Sequence, residues 1–131
     1  MVETVTECNE PQKVDIVAID GNEDTRDRMV DLLKEREKVA HAYSCPEHFL
    51  KNLSEYSKDT IISTGYIFGD FRDRNRGLDG LDLLNRIYKE GYAKLYLLTW
   101  SDFSYRSLPY YVKYLEKSGN CEHDVDRLLE E

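Results

Sequence analysis

The order of apolar runs constrains this chain most. Val14–Ile19, Val39–Tyr43, Leu95–Thr99 and Val112–Glu116 are short runs of strand character. Between them, Met29, Val30, Leu32 and Leu33 recur at helical spacing. So do Phe49, Leu50 and Leu53, and then Leu81, Leu84, Ile87 and Tyr88. A further strand is expected between Ile61 and Phe68, and a last helix over Glu122–Leu129. Strands that alternate with helices five times predict an α/β fold, a parallel sheet with helices on both faces. In such sheets the functional crevice lies beyond the carboxyl ends of the strands.

Local signals agree with this order. Asn22 can cap the first helix, and Glu23 and Asp24 fall in its first turn, where the macrodipole favours acids. Ser44-x-x-Glu47 predicts a capping box, with Pro46 tolerated in the first turn. Gly77–Gly80, GLDG, opens a third helix, and Gly91 is placed to end it. Residues 102–109 leave room for only a short helix before Pro109. Residues 1–12 are polar and aperiodic and read as a loose tail, with one domain over 13–131.

Composition narrows the function. A chain of 131 residues can bury a core without staples. A formal charge of −8 argues against nucleic acid as a partner of this domain, because a polyanion is held by clustered Lys and Arg. No apolar run approaches the ~20 residues that span a bilayer. Cys8, Cys45 and Cys121 are odd in number and widely spaced, which fits a reduced, cytoplasmic setting better than disulfides or zinc. His41, His48 and His123 show no ligand spacing.

The strand ends carry the chemistry. Strand one ends on Asp20, strand four on Thr99, and strand five runs into Lys117. An acid, a hydroxyl and an ammonium would meet in one crevice. Taken singly, each has a bland reading: a helix-flanking acid, a common strand-end Thr and a solvated Lys.

Together with GLDGLDLL, LYLLTWSD and YLEKS, these residues resemble the receiver domain of two-component response regulators over about Val14 to Glu130. The resemblance implies a three-layer, flavodoxin-like fold with strand order 2-1-3-4-5. It also implies a phosphorelay role, in which a histidine kinase donates a phosphoryl group to an aspartate with Mg²⁺ bridging carboxylates and phosphoryl oxygens. Asp20 matches the first acid of the metal-binding pair, and Gly21 stands where the second should be. Thr99 matches the family's hydroxyl, Lys117 its lysine and Tyr114 its aromatic switch position. Ser118 stands where the family usually has proline. Glu23 is a candidate substitute ligand, although its place at the helix start equally serves the macrodipole.

The acceptor is ambiguous in the sequence, because two registers compete. If strand three is Gly65–Gly69, Asp70 is the phosphoacceptor and a second metal ligand. If it is Thr60–Thr64, then Thr64 or Gly65 occupies that position and no acceptor exists. Two glycines weaken the first register as a strand. The lack of another acid there favours it chemically.

The sequence reading is therefore a degenerate receiver, a signalling domain and not an enzyme. It would act as a protein-interaction module with a weak Mg²⁺ site or none. Its partners would be a histidine kinase or another signalling protein. Tyr105, Tyr110 and Tyr111, with Tyr114, supply aromatic area for an interface, and homodimerisation is one use of it. The rivals are a working receiver phosphorylated on Asp70, and a flavin- or nucleotide-binding domain of the same fold. GNEDTR lacks the glycine-rich phosphate loop that the last would use. Arg72, Arg74 and Arg76 form a solvated loop by default, or an anion site.

Overall fold

A computed structural model describes residues 13–68, 77–100 and 108–130. Its elements run β1 (Ile16–Ile19), α1 (Glu23–Glu35), β2 (Ala40–Tyr43), α2 (Pro46–Lys51), β3 (Ile61–Thr64), α3 (Gly80–Lys89), β4 (Leu95–Thr99), β5 (Val112–Glu116) and α4 (Cys121–Leu129). A single 3-10 turn, Leu53–Glu55, follows α2. All strand pairs are parallel and the order is β2-β1-β3-β4-β5. The alternation predicts this parallel α/β sheet, and the strand order is the flavodoxin-like one that the resemblance implies.

Side chains on a strand point alternately to opposite faces, and β1 feeds both layers. Ile16 and Ala18 pack with Met29, Leu32 and Leu33 of α1 and Val125 and Leu128 of α4. Val17 and Ile19 face the other way, into Phe49 of α2 and Leu83, Leu84 and Ile87 of α3. β1, β4 and nearly all of β3 are buried on both faces, so they read as unbroken apolar runs. Truncating a fully buried residue such as Leu83 to Ala is expected to cost roughly 2–5 kcal/mol.

Helix ends differ in part from expectation. Asn22 caps α1, its side chain accepting from the Thr25 N–H at 2.9 Å. Asp79 caps α3 in a reciprocal box with Asp82. The box expected at Ser44 and Glu47 does not form. The cap of α2 is Cys45, with no side-chain hydrogen bond. Glu47 instead reaches out of α2 and accepts from the Leu78 N–H at 2.6 Å. A carboxylate bonded to an orphan N–H of a neighbouring loop is stabilised as well as one closing its own helix. Sheet pairing starts at Ile16, two residues after the expected start of strand one. Asp15 there uses its carboxylate to accept from Val39 N–H at 2.8 Å.

Strand three takes the earlier register. Ile19 pairs with Thr64, and the Gly65 N–H donates to the Ile19 carbonyl at 2.9 Å. Ile61, Ile62 and Thr64 fill a strand better than a stretch opened by glycine. Asp70, Tyr105, the three arginines at 72, 74 and 76, and the short helix expected over 102–109 up to residue 107 lie outside the described residues.

Candidate functional site: a crevice at the carboxyl ends of the strands

Four strands deliver residues to one edge of the sheet. Asp20 follows β1, Gly65 follows β3, Thr99 closes β4 and Lys117 follows β5. They line a cavity of about 470 Å³ together with Gly21, Asn22, Thr25, Tyr66, Ile67 and Trp100. The convergence expected of Asp20, Thr99 and Lys117 is therefore present.

Asp20 is buried and held from three sides. Lys117 Nζ donates to Oδ2 at 2.8 Å, and both side chains are only 10% exposed. The Asn22 N–H donates to Oδ1 at 2.8 Å, the local turn that aspartate favours before a helix. Arg26 reaches back one turn to donate to the Asp20 carbonyl at 2.7 Å. Lys117 is fixed by its backbone as well, its N–H donating to the Thr99 carbonyl at 2.9 Å. The acid and the ammonium thus neutralise each other directly.

The loop after Lys117 is fastened by Asp124, a buried acid at the start of α4. It accepts from Ser118 Oγ at 2.9 Å and from the Ser118 N–H at 3.2 Å, and Arg127 donates to it at 3.0 Å. A proline at 118 could donate neither bond. Ser118 thus places both its N–H and its hydroxyl on one buried acid.

Two of the residues lining the crevice, Gly21 and Gly65, carry no side chain into it. A Cβ on Gly21 would meet Phe68 Cδ1 at 3.6 Å. One on Gly65 would meet Phe68 Cζ at 3.8 Å, with the Ile19 and Leu98 carbonyl oxygens at 3.9 and 4.0 Å. The buried Phe68 ring therefore lies within contact distance of both positions. Gly80 is a different case. Its Cβ would lie 1.9 Å from the Gly65 carbonyl oxygen, so the start of α3 approaches the end of β3 as only glycine allows.

These donors do not suit Mg²⁺, which takes hard oxygen ligands in octahedral array. Asp20 is the one carboxylate lining the crevice among the described residues, and its nearest neighbour is a cation. Those residues hold no group of three or more His, Cys, Asp or Glu arranged for a metal. Glu23 is the first residue of α1 and exposed.

Tyr110, Tyr111 and Tyr114, expected at an interface, do not line the crevice. Tyr111 stacks on Tyr88 with centroids 3.9 Å apart, and Tyr110 stands edge-on to both. Tyr110 and Tyr111 precede β5, at the opposite end of the sheet from Lys117. Tyr114 lies within β5, half-buried against the α2–α3 layer. Burial raises the Cys121 thiol above its ordinary range, which makes it a poor nucleophile.

Sequence reasoning did not find Phe68, Arg26, Asp124 or Trp100. Their roles arise from loops meeting across the sheet, and no spacing in the sequence announces them. The one available signal was Ser118 in place of proline, which asks what its N–H and hydroxyl bind.

Comparison with solved structures agrees with this architecture. A response regulator, TrrA of Thermotoga maritima, crystallised with Mg²⁺–BeF, superposes with a TM-score of 0.72 at 18% identity, over 91% of this chain and 98% of that one. The signal receiver domain of an HD domain-containing protein from Pseudomonas fluorescens gives 0.67 at 19% identity, over 91% and 93%. A response regulator receiver domain protein from Clostridium thermocellum gives 0.66 at 16% identity, over 89% and 92%. No family model matches the chain, and no curated protein matches it in sequence. The likeness establishes a receiver-like fold.

Proposed function

We propose that this chain is a signal-receiving domain of the response-regulator type whose own phosphoryl chemistry is lost. It works as a protein-interaction module, without enzymatic turnover and with Mg²⁺ bound weakly or not at all. One observation carries the reading. The ammonium that would neutralise an incoming phosphoryl group is spent on Asp20 at 2.8 Å, in a crevice that Gly21 and Gly65 also line. Phosphoryl transfer depends on positioning and charge neutralisation around an acceptor carboxylate. Here the charges are already balanced, and β3 ends on Thr64, with Gly65 next in the chain. Its partner is a histidine kinase or another signalling protein, bound by shape and surface chemistry.

The test is incubation with an acyl phosphate donor and Mg²⁺, read by intact-mass spectrometry. A phosphoryl group adds about 80 Da by formula. The expected result is no stable shift. A near-complete shift that disappears in Asp70→Asn would instead establish a working receiver that uses Asp70 with Thr99 and Lys117.

A further inference from the structure

Of the large apolar side chains exposed among the described residues, Ile67, Trp100 and Tyr110, two stand at the crevice. Trp100 is 63% exposed and Ile67 37%. They frame a cavity whose floor is a self-neutralised ion pair, with Asn22 and Thr25 on its wall. An apolar rim around a concave, charge-balanced floor is the shape that accepts one anchoring side chain of another protein.

The charges around the mouth say which kind. Glu23 and Asp24, in the α1 turn beside Asn22, are exposed, and so is Glu116 at the end of β5. Of the nearby cations among the described residues, Lys117 is paired to Asp20 and Arg26 donates to the Asp20 carbonyl. The formal charge of the chain, −8, adds to the same field. The exposed Trp100 face can also stack on a guanidinium or ammonium.

From these features we infer that the crevice is a docking site for a basic segment of a partner protein. The segment inserts one aliphatic side chain between Ile67 and Trp100 and sets flanking Arg or Lys against Glu23 and Asp24. The inference rests on the reading above, since a crevice engaged in phosphoryl transfer would have to stay open to a donor.

A displayed library of random 12-residue peptides, selected against the full chain, tests it. The expected consensus is an aliphatic residue flanked by Arg or Lys. A synthetic peptide of that consensus, free of tryptophan, should change the emission of Trp100 saturably, because the chain has a single tryptophan. Calorimetry should show about a tenfold weaker affinity for Trp100→Ala, the loss expected when an interface aromatic is truncated. Glu23→Lys with Asp24→Lys should also weaken it, and added salt should weaken the wild-type complex. An acidic or purely polar consensus, no enrichment, or binding unchanged in Trp100→Ala and in Ile67→Ser would overturn the inference. Both residues are exposed, and circular dichroism verifies that the variants fold. The phosphodonor experiment is independent: a mass shift there defeats the proposed function, whereas failed selection without a mass shift defeats only the docking site.

Discussion

Lys117→Met removes one half of the pair that closes the crevice while keeping most of the side-chain volume. At 2.8 Å and an effective dielectric of about 20, the gross attraction is about 6 kcal/mol. Much of that offsets the cost of taking both charges out of water. The measured loss is therefore set by what the substitution leaves behind, a buried Asp20 carboxylate whose Oδ1 still accepts from the Asn22 N–H. Breaking a buried pair from one side costs about 3–5 kcal/mol. Both side chains keep 10% exposure, which places this case at the lower end, about 3 kcal/mol. In urea, with a slope of about 1–3 kcal/mol per molar, the midpoint should fall by roughly 1–3 M. Asp20→Asn together with Lys117→Met removes both charges and should recover most of the loss, giving a coupling well above additivity. A single-variant loss under about 1 kcal/mol, or an additive double variant, would show that the pair is a solvated contact. The account of a self-neutralised crevice would then fail.

Gly80→Ala should cost about 3 kcal/mol or more, because its Cβ would meet the Gly65 carbonyl oxygen at 1.9 Å, whereas Gly65→Ala, with nothing nearer than 3.8 Å among the described residues, should cost far less. Thermal melts of the two variants decide this, and equal losses would refute it. Glu47→Ala should lose about 1–3 kcal/mol by leaving the Leu78 N–H without its carboxylate. A Cβ on Gly77 would lie 1.8 Å from the same carboxylate, so Gly77→Ala should be less costly in a Glu47→Ala background, a coupling read from a double-mutant cycle. The Asp59 carboxyl is lowered to about 2, chiefly by the Ser57 hydroxyl and then by Lys13. Its folded value lies below the unfolded one, so its contribution is present above about pH 4 and is lost as pH falls toward 2. Carboxyl NMR should show that midpoint, and Ser57→Ala should move it upward.

The layered fold was legible because it follows from local physics. β-Branched runs buried on both faces, helical stripes between them, and Asn22 and Gly91 at helix ends are properties of contiguous residues. They predict parallel strands, and with them the edge at which Asp20, Thr99 and Lys117 meet. The register of β3 was not legible, since Ile61–Thr64 and the stretch after Gly65 lie side by side in sequence. The choice came from pairing with Ile19 and from the close approach of Gly65 to Gly80, contacts between residues far apart or in separate elements. Glu47 showed the same limit. Its spacing from Ser44 promised a local cap, but a carboxylate goes to whichever unsatisfied N–H the tertiary structure brings nearest, and that was Leu78. The sequence by itself determined that Asp20, Thr99 and Lys117 close their strands at one edge and that Gly21 brings no carboxylate there. Only the tertiary structure decided that Lys117 bonds Asp20 and that Phe68 spans the two glycines. Side-chain pairing across a sheet depends on distances set by packing, which no spacing along the chain encodes.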